Sequence, residues 1–282
     1  MIDSLIRPIL LYASDFWGCF KPPKNNPVET VQMRVYKDLL GVQKQTTNDG
    51  VLLELGEIPL SILAQCHCIK NYSRIYINKK ANSILLAMAE FCYGNNSWSS
   101  VTEAALNRTG IGKCDTEIRR HLLSRLKDIF HQETFAKINT DHSKLRTYGE
   151  FKTVSGLEPY LVYPMKIQYR TTFSKFRLSN HALQIEKGRH SNIAKNQRFC
   201  PFCPTFVETE QHFLLQCRKY AIGREKLFRE LTVVIPGLSQ KLEKEKFIEL
   251  MTNSACLPKT AEFISLSFDI REFLLQKHQN NQ

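Results

Sequence analysis

The chain has 282 residues, of which 43% are hydrophobic and 23% charged, and its formal net charge at pH 7 is +12. This composition is typical of a folded protein and excludes disorder along the whole chain. No apolar run reaches the roughly 18 residues of a membrane-spanning helix, so we expect no membrane partner. The apolar start is interrupted by Asp3, Arg7 and Pro8, and we interpret residues 2–13 as a helix of the fold, not a signal peptide.

Helix signals dominate the sequence in chain order. Asn26, Pro27 and Glu29 provide an N-cap, a first-turn proline and a first-turn carboxylate, and Gly41 is a stop signal. Further helices are predicted from Pro59 toward Tyr76, over 82–93, from Asn96 or Ser97 to about Asn107, along a stripe of Ile118, Leu122, Leu126 and Ile129, and over 221–232, 242–251 and 259–277. Residues 153–164 predict a connector, with a weak strand pattern at 160–163. The fold is therefore predicted to be mainly α.

Positive charge is concentrated in residues 161–200, where eight Lys and Arg residues accompany one acidic residue, Glu186. Aromatic residues are interleaved with these cations, and this combination favours a nucleic-acid surface because cations neutralise phosphates while rings stack on bases. The charges could instead form a solvated face, and the rings could belong to the core. We expect RNA or DNA as the partner, contacted by Arg170, Lys175, Arg177, His181, Lys187, Arg189, His190, Lys195 and Arg198. For Arg177 a structural role is an equal alternative, because Phe173 and Phe176 could bury its stem.

One motif carries metal chemistry: Cys200 and Cys203 form a Cys-x-x-Cys pair, followed by His212 and Cys217. Three thiolates and one imidazole are a complete ligand set for structural zinc, with no open position for a catalytic water. The sequence therefore predicts one structural Zn²⁺. The alternative is a set of ordinary buried thiols beside a surface histidine.

The second ligand pair lies in a helix predicted over 208–220. Positions five apart are about 500° around an ideal helix, so this helix must start late, tighten or end between His212 and Cys217. Zinc and three thiolates leave one net negative charge, which we expect Arg198, Arg218 and Lys219 to offset. A small apolar core is expected from Phe202, Phe206 and Phe213. Cys66 and Cys68, one residue apart on a helix, are expected to be core thiols.

No catalytic constellation is evident. A polymerase or nuclease with two metal ions needs clustered carboxylates, and no two acidic residues are adjacent in this sequence. The stretch from Tyr12 to Asp15 is similar to the Tyr-x-Asp-Asp turn of reverse transcriptases, but Ser14 occupies the first aspartate position and the context is helical. We therefore expect no independent catalysis. Nine cysteines, an odd number without a signal peptide, favour an intracellular protein of the nucleus or cytoplasm over a disulfide-bonded one.

Three stretches, in this order, resemble the C-terminal third of reverse transcriptases from non-LTR (LINE-type) retrotransposons. Residues 7–18 resemble the start of their thumb, with Ala13 and Asp15 where the family commonly has Gly and Glu. Residues 39–60 resemble the following thumb helices. Residues 176–190, together with the Cys-Cys-His-Cys set, resemble the terminal basic region and zinc knuckle.

The resemblance and the composition together predict three segments. Residues 1–155 form a helical region similar to a thumb and connector, residues 156–231 a basic segment with the zinc module, and residues 232–282 the closing helices. The resemblance implies a part that grips RNA or target DNA, while the metal-binding aspartates of the palm have no counterpart here. We predict a non-catalytic nucleic-acid-binding fragment in which zinc orders a basic surface. The alternatives are an accessory part of an RNA-directed DNA polymerase that needs a separate palm, and a helical protein-interaction scaffold.

Overall fold

The computed structural model describes residues 2–20, 26–77, 97–140 and 143–280. This part of the chain is mainly α-helical, with a small cysteine module, as predicted. The chain divides into two compact units: unit 1 comprises Met1–Val35 and Glu57–Ala136, and unit 2 comprises Tyr36–Gly56 and Lys137–Gln282. The helix predicted over 82–93 lies outside the described residues.

The helices are numbered in chain order. They are α1 Arg7–Leu10, α2 Ser14–Trp17, α3 Pro27–Leu40, α4 Asn48–Leu55, α5 Leu60–Tyr72, α6 Trp98–Thr109, α7 Asp115–Ile138, α8 Arg146–Phe151, α9 Ile167–Arg177, α10 Gln184–His190, α11 Ala221–Val234, α12 Glu243–Thr252 and α13 Leu257–Asn280. The strands are β1 Phe199–Cys200 and β2 Cys203–Val207, and π-helical turns cover Ile2–Ile6, Ser73–Ile77 and His212–Gln216. Short 3₁₀ turns cover Pro159–Leu161, Lys195–Gln197, Arg218–Tyr220 and Leu238–Gln240.

Helix α3 begins and ends where its capping residues predict. The side chain of Asn26 accepts a hydrogen bond from the amide of Val28 at 3.1 Å, which satisfies one of the unpaired N–H groups of the first turn. At the other end Gly41 has φ of +65°, a left-handed conformation that glycine adopts without steric cost. Ser97 caps α6 in the same way, accepting from the amide of Ser100 at 3.2 Å.

Unit 1 has an apolar core built from its helical stripes. The core contains Cys68 and Ile69 of α5, Leu106 of α6, and Ile118 and Leu122 of α7. Cys66 is also buried, so both Cys66 and Cys68 are core thiols, as predicted. Helix α2 packs closely on α5 because Gly18 has no side chain, and an added Cβ would lie 2.0 Å from the carbonyl oxygen of Ala64.

The connector predicted over 153–164 is a packed part of unit 2. Residues 159–161 form a 3₁₀ turn, so the weak strand prediction at 160–163 is wrong. The amide of Glu158 donates to the carbonyl of Glu54 at 3.0 Å, and the side chain of Tyr160 is fully buried. The alternating pattern does not produce a strand here. Tyr160 is buried by packing against residues that are distant in the sequence, and not by pairing with a neighbouring strand. The predicted segment boundary at 155/156 therefore falls inside unit 2.

Within the described ranges, no single helix is both long and apolar enough to cross a membrane, and only the bent pair Asn48–Leu55 and Leu60–Tyr76 reaches that limit together, by length and composition alone.

Candidate metal centre

The first two cysteines are placed by a β-hairpin. Strands β1 and β2 pair antiparallel, with Cys200 directly opposite Cys203. Directly opposite residues of an antiparallel pair point to the same face, so both thiols project from one side of the hairpin. Pro201 lies in the two-residue connection, where its fixed φ favours the turn.

The second ligand pair is placed by a π-helical turn. The amide of Cys217 donates to the carbonyl of His212 at 2.7 Å, a bond across five residues in place of the four of an α-helix. The backbone of Cys217 is extended, with ψ of 125°, so the turn ends immediately before this residue. Of the three expected alternatives, a helix that starts late, tightens or ends between the two ligands, the structure shows an end immediately before Cys217, and the last turn widens instead of tightening.

The four side chains converge. The sulfur of Cys217 lies 3.9 Å from that of Cys200 and 3.9 Å from that of Cys203. All four potential ligand atoms lie within 4.8 Å of one another, and all four residues are buried. Cys200, Cys203, His212 and Cys217 therefore form a buried group that could hold a metal ion, which we call the four-ligand group.

The imidazole of His212 supports this interpretation. Neither ring nitrogen has a hydrogen-bond partner among the described residues, although the side chain is buried. Buried polar groups in native proteins are nearly always paired, so this ring has a nitrogen free for a ligand. Phe206 stacks on the imidazole with 5.6 Å between ring centroids and fixes its orientation.

Proton sharing links two of the thiols. The hydrogen bond to Cys217, together with burial, raises the pKa of Cys200 to about 12. The same hydrogen bond lowers the pKa of Cys217. A metal ion binds thiolates, so metal binding would release the proton that these sulfurs share.

Two arginines from the C-terminal helices, half-buried Arg224 and buried Arg271, bond the segment that carries the group. Arg224 of α11 donates to the carbonyl of Cys217 at 2.7 Å and to that of Leu214 at 2.8 Å. Arg271 of α13 donates to the carboxylate of Glu208 at 2.7 Å, with both side chains at most 2% exposed. Its guanidinium lies 6.0 Å from the ring of Phe202.

The three cationic side chains that were predicted to offset the negative charge of the group do not bond its ligand residues in the described part of the chain. Arg218 and Lys219 are exposed, and Arg198 donates to the carbonyls of Ile193 and Ile185. Sequence reasoning therefore missed half-buried Arg224 and buried Arg271 as the cations that bond the segment carrying the group. Arg271 follows Cys217 by more than fifty residues, and no local pattern marks it. Arg224 follows Cys217 closely in the sequence, and this closeness was the one signal from which its role could have been predicted.

The predicted aromatic core of the module is only partly present. Phe213 is fully buried and packs on Tyr220 and Phe268, with ring centroids 4.8 and 4.7 Å away. Phe206 is 51% exposed, although it covers His212. Phe213 thus joins the larger core of unit 2, so the module shares the core of the helices around it.

The structure contradicts a phosphate-binding role for Arg177. Its side chain is fully buried and donates to both oxygens of Glu54, at 2.6 and 3.3 Å, and to Glu158 at 2.6 Å. It also donates to the carbonyl of Met251. Although burial opposes the charge, the carboxylates of Glu54 and Glu158 raise the pKa of Arg177. The structural alternative for Arg177 is therefore confirmed.

Several other predicted contacts are held by neighbouring groups. Arg170 donates to the carbonyl of Tyr163 at 2.8 Å, and Arg189 to Glu186 at 3.1 Å. His181 is 2% exposed in its side chain and lies 3.2 Å from Glu210. Burial of Glu210 opposes its charge, but the hydrogen bond and charge of His181 lower its pKa to about 2. These residues are positioned by the fold before any ligand binds.

The remaining predicted contacts reach the surface. Lys187, His190 and Lys195 are exposed, and Lys175 is half-buried. Lys175, His181, Lys187 and His190 line one cavity of unit 2, while Lys195 lines another together with Arg146. The basic segment is therefore split between a buried set of charges and a smaller set that a ligand can reach.

Comparison with protein-family models, curated proteins and solved structures found no match to this chain.

Proposed function

We propose that the four-ligand group holds one structural zinc ion. A tetrahedral zinc with Zn–S distances of about 2.3 Å separates its sulfurs by roughly 3.8 Å, close to the 3.9 Å between the sulfur of Cys217 and those of Cys200 and Cys203. The ligands Cys200, Cys203, His212 and Cys217 would complete the coordination shell. Such an ion would hold the hairpin and the π-helical turn together and would carry no catalytic water.

On this basis we propose that the protein is a non-catalytic nucleic-acid-binding module. One observation carries this proposal: Glu208, which follows β2, holds the start of the basic helix α10. Its carboxylate accepts from the amide of Gln184 at 2.7 Å, and its carbonyl accepts from the amide of Ile185 at 3.3 Å. Zinc that fixes β2 would thereby fix α10, which carries Lys187, Arg189 and His190. The proposal agrees with the resemblance to the zinc-knuckle region of non-LTR reverse transcriptases.

The test measures metal content and oligonucleotide binding of the purified chain and of the Cys203→Ser variant. We expect one equivalent of zinc in the native chain and none in the variant. Cys114→Ser is the matched control, because Cys114 is an exposed thiol outside the four-ligand group.

Binding is then measured against salt concentration. Each phosphate neutralised by the protein should contribute a slope of about 0.7 to 0.9 log units of affinity per log unit of salt. We expect the Cys203→Ser variant to bind more weakly, because α10 loses its anchor. A native chain without metal would contradict the zinc proposal, and binding that does not change with salt would contradict the nucleic-acid proposal.

A protein-interaction scaffold is the second candidate, and exposed apolar residues of unit 1 favour it. Leu5, Ile9 and Tyr12 are 60%, 75% and 82% exposed. Replacing Ile9 and Tyr12 by Ser should then abolish partner binding without changing nucleic-acid affinity. The accessory-polymerase alternative stays a prediction, and primer extension with a separately supplied catalytic fragment tests it.

A further inference from the structure

A cavity of about 430 Å³ lies in unit 2, beside the end of α9 and the basic helix α10. Lys175, Lys187 and His190 line it, together with Lys144 from the segment before α8. Within the described ranges, none of these three lysines forms an ion pair with a carboxylate. We call this space the Lys175 cavity.

Two buried polar atoms of the cavity lining lack partners. The hydroxyl of Ser179 and the Nδ1 atom of His181 have no hydrogen-bond partner among the described residues. Both side chains are more than nine-tenths buried. Since native proteins pair nearly all such atoms, two of them in one cavity lining are available to a ligand that can form hydrogen bonds with a hydroxyl and an imidazole.

The backbone at Ser179 is strained in a way that fits a binding site. Ser179 has φ of +51°, a left-handed conformation that is unfavourable for a residue with a side chain. The turn is held by a 2.8 Å hydrogen bond from the amide of Asn180 to the carbonyl of Lys175. Strain of this kind persists where the surrounding structure enforces it, commonly at binding sites.

The ring of His181 is held by Glu210 and by two aromatic rings. Its Nε2 atom lies 3.2 Å from Glu210, and its ring centroid lies 5.5 Å from that of Phe176 and 6.4 Å from that of Phe268. This leaves Nδ1 as the atom available to a ligand in the cavity.

The electrostatics of the cavity select an anion. Among the described lining residues the one carboxylate is that of Glu186, and it is already engaged by Arg146 and Arg189. Burial lowers the pKa of Lys144 and the charge of Arg189 lowers it further, while the charge of Glu186 offsets only part of this change. An anionic ligand would restore the lost stabilisation of these lysines.

We propose that the Lys175 cavity binds one nucleotide of a single-stranded nucleic acid. Its phosphate would contact Lys144, Lys175 and Lys187, while Ser179 and His181 would bond the same nucleotide deeper in the cavity. Phe268 supplies an apolar wall against the sugar or base. A nucleotide inside a duplex would have to leave its stack to enter a recess of this kind, which weakens duplex binding relative to a single strand. The inference rests on the proposed nucleic-acid-binding function and names its ligand class and site.

The experiment compares four probes with the full zinc-loaded chain: a fluorescent 12-nucleotide single strand, the matching duplex, adenosine monophosphate and inorganic phosphate. The cavity variant is Lys175→Gln with Lys187→Gln. The control is Lys244→Gln with Lys277→Gln, which removes the same charge from exposed positions of unit 2 outside the cavity. We expect the cavity variant to weaken single-strand binding at least about tenfold, because charge-assisted hydrogen bonds to phosphate are lost. The control should change it less than about threefold.

A second variant separates binding from folding. Ser179→Gly removes the hydroxyl but suits the positive φ, so the unfolding midpoint should not fall while single-strand affinity drops. Equal single-strand affinity of the cavity variant and the control would overturn this inference and leave the proposed function standing. Duplex or adenosine monophosphate binding as tight as the single strand would overturn the single-strand assignment. A chain that binds no nucleic acid would refute the proposed function itself.

Discussion

Arg177 should act as a structural residue whose removal destabilises unit 2. Arg177→Met retains most of the apolar stem and removes the guanidinium, leaving Glu54 with Tyr148 and Tyr160 as donors, at 2.7 Å each. Glu54 would then be a buried carboxylate that has lost its ion-pair partner, while Glu158 keeps its ion pair with Lys152. Breaking a buried pair in this way costs about 3–5 kcal/mol of unfolding free energy.

The assay is urea unfolding followed by circular dichroism. With a denaturant slope of about 2 kcal/mol per molar urea, the midpoint should fall by about 1.5–2.5 M. Arg189→Met is the matched control from the same basic segment, because its pairing with Glu186 is partly exposed and should contribute at most about 1 kcal/mol.

A double variant tests the assigned partner. Combining Arg177→Met with Glu54→Gln removes one of the unpaired charges, so its cost should be smaller than the sum of the two single changes by about 1–3 kcal/mol. If Arg177→Met leaves the midpoint unchanged and instead reduces nucleic-acid affinity, the structural assignment of Arg177 is refuted. A double variant that costs the full sum would refute the coupling to Glu54.

Two further predictions concern packing in unit 1 and the metal in unit 2. Gly18→Ala should lower the unfolding free energy by about 1–3 kcal/mol, because the new Cβ meets the carbonyl of Ala64. Gly110→Ala, where an added Cβ meets nothing within 4 Å and only the positive φ of 72° opposes it, should cost about 1 kcal/mol in the same urea titration. If the four-ligand group holds zinc as proposed, a chelator should lower the thermal midpoint of the native chain and leave that of Cys203→Ser unchanged.

Both the packing prediction and the metal prediction have an outcome that would contradict them. Equal losses for Gly18→Ala and Gly110→Ala would show that α2 can move away from α5 without cost. A chelator that lowers the midpoint of both chains equally would act somewhere other than the four-ligand group.

The four-ligand group was predictable because its information is local. Cys200, Cys203, His212 and Cys217 lie within eighteen residues, and the mismatch between the five-residue step from His212 to Cys217 and an α-helix predicted that a regular helix could not continue unchanged between them. The helix ends at Gly41 and Ser97 were predictable for the same reason, since a cap depends on its own turn.

The role of Arg177 could not be assigned from the sequence because it depends on distant pairing. Its partner Glu54 is 123 residues away, and the basic segment around Arg177 looks the same whether the side chain points inward or outward. The contribution of Arg271 was hidden in the same way. The net charge of a segment predicts its ligands only when the charged side chains that are buried are left out of the count. Which side chains are buried is known only from the fold.

The attachment of Arg224 and Arg271 to the segment that carries the four-ligand group has a consequence for protein engineering. A zinc finger that is complete in itself can be grafted onto another chain, because all of its supporting contacts travel with it. Here Glu208 bonds Arg271 on the last helix, and Cys217 bonds Arg224 on α11. The segment from 198 to 220 therefore cannot be transferred alone: a chimera that contains it must also contain helices α11 and α13.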